Sequence, residues 1–206
     1  MRVSPAGETT FPYLCRIAAA YGLEEKALLS CWKGVGQRPR HEGGAWRWDA
    51  EVLLNAAGRR ALVGLGSATE GALERALPSW GREDPKLGAQ QDVVERALWR
   101  VGGAVVGAVA FGCRLCTARR TGGPVRVVRY AARWERVCVR HGRWALDADA
   151  DQPLECLDVR GVPEVGVAHL RWRGVERRAV RAGVDPGEVF GLAYAVVARW
   201  WQEAYR

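Results

Sequence analysis

Two short pairs of metal-ligand side chains constrain this chain more than any other feature. They are Cys113-Arg114-Leu115-Cys116 and Cys138-Val139-Arg140-His141. Two intervening residues bend a backbone enough for both side chains of a pair to reach one ion. Three thiolates and an imidazole are a donor set that Zn2+ takes at tetrahedral corners, about 2.0–2.3 Å away. The 21 residues between the pairs are enough for a strand, a turn and a second strand. Because protein side chains fill all four corners, no position is left for a reactive water. The expected cofactor is therefore one structural Zn2+ held by Cys113, Cys116, Cys138 and His141.

That segment is also where positive charge collects. The chain has 206 residues, 31 of them Lys or Arg and 23 Asp or Glu, for a net charge of +8. Residues 1–100 are nearly balanced, with 14 basic and 12 acidic side chains. Residues 111–150 carry nine arginines against three acidic residues. Such a local excess suits a polyanion, whose condensed counterions are released on binding. The candidate nucleic-acid contacts are Arg114, Arg119, Arg120, Arg126, Arg129, Arg133, Arg140 and Arg143. A solvated basic face is the alternative reading of the same charges. The longest apolar run, Val101 to Phe111, is broken by three glycines, and no stretch suits a bilayer. Met1-Arg2-Val3-Ser4-Pro5 lacks the apolar centre of a secretory leader. A cytoplasmic protein with reduced cysteines and no membrane partner is expected.

Apolar periodicity predicts mostly helix. Phe11, Leu14, Ala18 and Tyr21 share one face of a first helix, started by Thr9 or Thr10 and ended by Gly22. A second is expected over Glu24 to Trp32, and a glycine-rich loop over 34–48. Asp49 reads as the cap of a helix through Val52, Leu53 and Leu54. Ser67-Ala68-Thr69-Glu70 has the spacing of a capping box before Leu73, Ala76 and Leu77, which gives this region a helix-turn-helix-like pattern. Residues 81–91 read as a polar loop and Asp92 to Gly102 as a helix. Val125–Tyr130 and Arg133–Val139 read as strands beside the metal ligands. Two amphipathic helices close the chain, from about Pro163 to Ala182 and from Asp185-Pro186-Gly187-Glu188 onward. In the second, Val189, Leu192, Ala193, Val196, Val197 and Trp200 form one stripe. The expected class is mainly α with a small zinc-ribbon-like β element. Its divisions are a helical, helix-turn-helix-like part over 1–100, the zinc element over 101–160 and a C-terminal helical pair over 161–206.

Cys15 and Cys31 read as small core residues, His41 as solvated, and Cys156 with His169 as too few ligands for a second ion. A Cys–His nucleophile pairing would need Cys15 or Cys31 near His41 or His169, and nothing in the sequence indicates that contact, so no enzymatic activity is expected.

Two stretches together resemble the TniQ family. Glu8-Thr9-Thr10-Phe11-Pro12-Tyr13-Leu14-Cys15-Arg16-Ile17-Ala18 is similar to its N-terminal signature. Phe111-Gly112-Cys113-x-x-Cys116, then Trp134, then Val137-Cys138-x-x-His141-Gly142 looks like its zinc segment. Leu62 to Leu77 resembles its helix-turn-helix portion. This chain has Arg114 where the family usually has Pro, and it lacks the further Cys-x-x-Cys pair common there. The resemblance implies a DNA-transposition accessory protein that links a DNA target, alone or in an RNA-guided complex, to an AAA+ ATPase and a transposase. A homodimer is compatible with it. Two other readings stay open: a protein-interaction scaffold docking through Trp200 and Trp201, and a transcription regulator reading bases with Arg75.

Overall fold

The computed structural model describes residues 7–35, 50–66, 68–88, 96–102, 106–148 and 153–204. In chain order its elements are α1 (Thr10–Ala20), α2 (Glu25–Ser30), β1 (Lys33–Gly34), β2 (Glu51–Leu54), α3 (Ala56–Gly66), α4 (Glu70–Ala76) and α5 (Pro85–Gly88). Then come β3 (Leu98–Gly102), β4 (Val109–Phe111), α6 (Arg114–Thr121) and β5 (Val128–Tyr130). A 3-10 turn over Arg133–Glu135 precedes β6 (Val137–Cys138), β7 (Arg143–Ala145), β8 (Cys156–Asp158), α7 (Pro163–Arg181) and α8 (Pro186–Ala204). The fold is mixed and mainly helical. It divides into two compact units: Met1–Ala131 with Ala145–Leu157, and Ala132–Trp144 with Asp158–Arg206.

The first unit is organised around a small mixed sheet in the order β1-β3-β2, with β1 parallel and β2 antiparallel to the central β3. Both β2 and β3 fall where sequence periodicity predicts helices, and this is a correction. Every residue of β2 is buried, as are Leu98, Trp99 and Val101 of β3. A strand covered on both faces reads as a continuous apolar run and loses its two-residue alternation. Asp49 and Asp92, the expected helix starts, lie outside the described residues, as do His41 and most of the 34–48 loop. The core gathers Phe11, Leu14 and Ile17 of α1 with Leu62 of α3, Leu73 of α4 and Trp99. Asn55 fixes the junction between helix and sheet. Its Oδ1 accepts from Gly58 N at 2.8 Å, capping α3, and from Leu98 N at 2.9 Å.

The first helix runs as expected. Its N-terminal approach carries a buried charge pair, in which the Arg16 guanidinium forks onto the Glu8 carboxylate with both side chains buried. Glu51 is also fully buried. Its carboxylate accepts from Thr10 N (2.9 Å), Val52 N (3.1 Å) and the Tyr130 hydroxyl (2.7 Å). Burial pushes the Glu51 carboxyl above its ordinary pKa, and these donors pull against that push. Helix α4 begins after Thr69, not after Ser67, so the expected capping box is not its start; Ser67 itself lies outside the described residues. The expected polar loop over 81–91 contains the single turn α5.

In the second unit, β6 and β7 form a tight hairpin with Val137 opposite Trp144 and Cys138 opposite Arg143. Helices α7 and α8 are both 19 residues long; α7 starts at Pro163, as its periodicity suggests, and α8 at Pro186, as its capping pattern predicts. Gly187 N donates to Asp185 Oδ1 at 3.1 Å. A three-ring cluster fixes the start of α8, with Phe190 at 5.3 Å from Trp134 and 5.2 Å from Trp172, centroid to centroid. Trp134 Nε1 donates to Glu176 of α7 at 3.2 Å.

Candidate metal centre

Each ligand pair sits where the backbone changes direction. Strand β4 ends at Phe111, held against β5 by Val109–Tyr130 pairing and by Gly112 N donating to Val127 O at 2.7 Å. Cys113 then leaves the strand in an extended conformation and becomes the N-cap residue of α6. Its carbonyl accepts from Thr117 N at 3.0 Å and from Thr117 Oγ1 at 3.2 Å. Cys116 therefore falls in the first turn of α6, on the side facing Cys113. Gly122, with φ of 85°, ends that helix in the left-handed conformation that glycine adopts without strain. An eight-residue helix that begins inside the first ligand pair and continues to Thr121 replaces part of the expected strand–turn–strand. In addition, Arg133–Glu135 is a 3-10 turn and not strand.

The second pair occupies the β6–β7 turn. Cys138 ends β6, His141 N donates to Cys138 O at 3.2 Å, and Gly142 turns the chain into β7 with φ of 56°. A Cβ on Gly142 would overlap Cγ of Arg160, so both backbone angle and space call for glycine here.

The ligand atoms of Cys113, Cys116, Cys138 and His141 all lie within 4.8 Å of one another, and all four residues are half-buried. Cys138 Sγ stands 3.5 Å from His141 Nδ1. A tetrahedral ion bonded to sulfur at ~2.3 Å and nitrogen at ~2.05 Å spaces those two atoms about 3.6 Å apart. Sulfur pairs around the same ion are about 3.8 Å apart, so a small contraction of the widest spacing completes the tetrahedron. All six cysteines are free thiols. The donor set and its spacing fit one tetrahedral metal ion. Among the described residues this is the one Cys/His/carboxylate group close enough to hold an ion, and Cys156 and His169 do not join it.

The other cysteines part company. Cys15 packs against the core, and burial pushes its thiol up to about 12. Cys31 is exposed, which corrects its reading as a core residue: it follows the last turn of the short α2. His169 on α7 is held below the ordinary imidazole value by burial and by Arg173.

The arginines around the tetrad are not equivalent. Arg114, the residue after Cys113, donates from Nε and Nη2 to Glu155 at 2.7 and 2.6 Å. Arg126 also donates to Glu155. Burial alone would raise the Glu155 carboxyl, but hydrogen bonds from Arg114 and Arg126 outweigh it and hold the group below its ordinary range. Arg143 stands 3.7 Å from Asp158. Arg129 is half-buried in β5. Arg119, Arg120, Arg133 and Arg140 are exposed, with no carboxylate partner among the described residues. Sequence reasoning missed Glu155 because its partners are 41 and 29 residues away.

No protein-family model, no curated protein and no solved structure matches this chain. No helix among the described residues is long and apolar enough to cross a membrane.

Proposed function

We propose that this protein is a non-catalytic, zinc-containing nucleic-acid-binding adaptor resembling TniQ proteins. The observation that carries the reading is the Cys113–Cys116–Cys138–His141 tetrad, whose four protein ligands would leave a tetrahedral ion no open position. A bound Zn2+ would supply a crosslink between two turns and a positive charge, with no reactive water. The residues then have separate tasks. Cys113 and Cys116 anchor the start of α6, while Cys138 and His141 anchor a zinc-ribbon-like hairpin. Arg119, Arg120, Arg133 and Arg140 are the side chains free to meet phosphates. Glu155 holds Arg114 and Arg126, which therefore set local shape before they contact any ligand.

The resemblance adds the partners: a DNA target, alone or in an RNA-guided complex, an AAA+ ATPase and a transposase. The buried Glu8–Arg16 fork supports it, since those two residues belong to the N-terminal stretch that resembles TniQ. The contact between α3 and α4 is compatible with a helix-turn-helix-like use of that region. The test is fluorescence anisotropy of a labelled DNA duplex titrated with protein across a salt series. Four phosphate contacts predict a slope of about −3.6 in log K against log salt. No binding at low salt would overturn the nucleic-acid reading.

A further inference from the structure

Helix α7 carries a second concentration of positive charge, outside the zinc segment and outside the stretches that resemble TniQ. Arg171, Arg173, Arg177, Arg178 and Arg181 fall within eleven residues, all exposed, and none has a carboxylate partner among the described residues. Between residues 165 and 184 they are set against one acidic side chain, Glu176, which is half-buried and accepts from Trp134 Nε1 at 3.2 Å. Attraction to the helix C-terminus accounts for Arg178 and Arg181, which stand in the last turn, but not for the three before them. Arg173, Arg177 and Arg181 follow one another at four-residue steps, a like-charge spacing that weakens an isolated helix. An anion bound along the helix would relieve that repulsion.

The arginines are also ordered around the helix. Arg173 and Arg177 line one flank of the exposed face, and Arg171 and Arg178 the other, about 130° away. Val167, Leu170, Gly174 and Arg181 lie in the strip between them, while Trp172, Glu176 and the buried Ala179 occupy the opposite side. Arg177 Nε donates to Arg173 O at 3.1 Å and Arg181 Nε to Arg177 O at 3.3 Å, which leaves their Nη groups for an outside acceptor.

Two flanking rows of cations fit one polyanion better than others. An α-helix with its side chains is about 10–12 Å across, and the major groove of B-form DNA is about 12 Å wide with a row of phosphates on each wall. The major groove of A-form RNA is too deep and narrow for side chains to read. A bilayer surface selects a continuous apolar arc set apart from the charged one, whereas Val167 and Leu170 have arginines on both flanks.

We infer that α7 docks in the major groove of duplex DNA, with Arg171 and Arg178 on the phosphates of one strand and Arg173 and Arg177 on those of the other. The strip between the rows then faces the base edges. The inference rests on the nucleic-acid reading above and adds a second contact surface to it. Its residues belong to the second unit, whereas Arg119 and Arg120 belong to the first.

The anisotropy salt series on full-length variants tests it, with circular dichroism and metal content confirming that each stays folded. Arg171→Gln, Arg173→Gln, Arg177→Gln and Arg178→Gln made together should flatten the slope of log K against log salt by about 3.6 units. The same four changed to Lys should keep the slope, because the charges remain. Arg119→Gln with Arg120→Gln should flatten it by about 1.8 units. A DNA duplex should bind roughly tenfold tighter than an RNA duplex of the same sequence. If the wild type binds DNA and the fourfold Gln variant keeps its slope, the inference is overturned while the nucleic-acid reading stands. No binding by the wild type at low salt would overturn both. Equal affinity for the RNA duplex, or capture by phosphatidylserine vesicles in place of DNA, would also overturn the inference.

Discussion

Gly142 follows the last ligand directly, and its backbone angle, φ of 56°, is one that a side chain makes costly. Gly142→Ala adds about 1–2 kcal/mol for the left-handed conformation, and the new methyl must also displace Arg160. The expected result is a Tm lowered by several degrees and a weakened metal site, read by thermal unfolding with and without a competing chelator. Glu51 carries a different prediction. Because burial raises its carboxyl pKa, the folded state holds that proton more tightly than the unfolded chain does. Its stabilising contribution is thus full below the ordinary value of 4.5 and is lost as pH rises through the folded value. Glu51→Gln removes the titration, so its Tm should gain on the wild type as pH rises from 4 upward. A difference in Tm that stays flat with pH would contradict this. The ligands were legible because a Cys-x-x-Cys spacing is local. The role of Glu51 was not, because Thr10 and Tyr130 reach it from 41 and 79 positions away.

Helix α6 is short and basic, and its position is set at both ends: Cys113 caps its start and Gly122 its finish. Glu155 adds a side anchor through Arg114 and carries Arg126 with it. Glu155→Gln should release both guanidinium groups. The account then predicts tighter duplex DNA binding with a steeper salt dependence, by about one unit of slope for each arginine that gains a phosphate. Unchanged slope in the anisotropy series would show that Arg114 and Arg126 lie away from the nucleic-acid face. Elements were legible in the sequence where one face is wet. The C-terminal pair has a 3.6-residue stripe and a proline start, and α7 and α8 begin where those signals put them. Strands β2 and β3 look helical in the sequence because burial on both faces erases their alternation. Helix α6 was missed because its residues are basic and offer no apolar period.

At the scale of the whole molecule, the positive charge is unevenly spent. Part of the arginine excess of residues 111–150 is neutralised by Glu155 and Asp158, and the exposed remainder is what a polyanion would meet. The apolar core of the first unit is built from α1, α3, α4 and the β1-β3-β2 sheet, without the ligand residues. Metal removal is therefore expected to disturb the segment around residues 113–143 more than that core. Hydrogen exchange should register the loss as faster exchange in α6 and the β6–β7 hairpin, with α1 and β3 still protected. Metal analysis of the reduced, purified protein beside a Cys138→Ser variant shows whether the tetrad holds an ion. One Zn2+ per chain is expected in the wild type, with a large loss in the variant and a fall in Tm when the wild type is chelated. Protein that carries no stoichiometric metal and melts identically with and without chelator would contradict it.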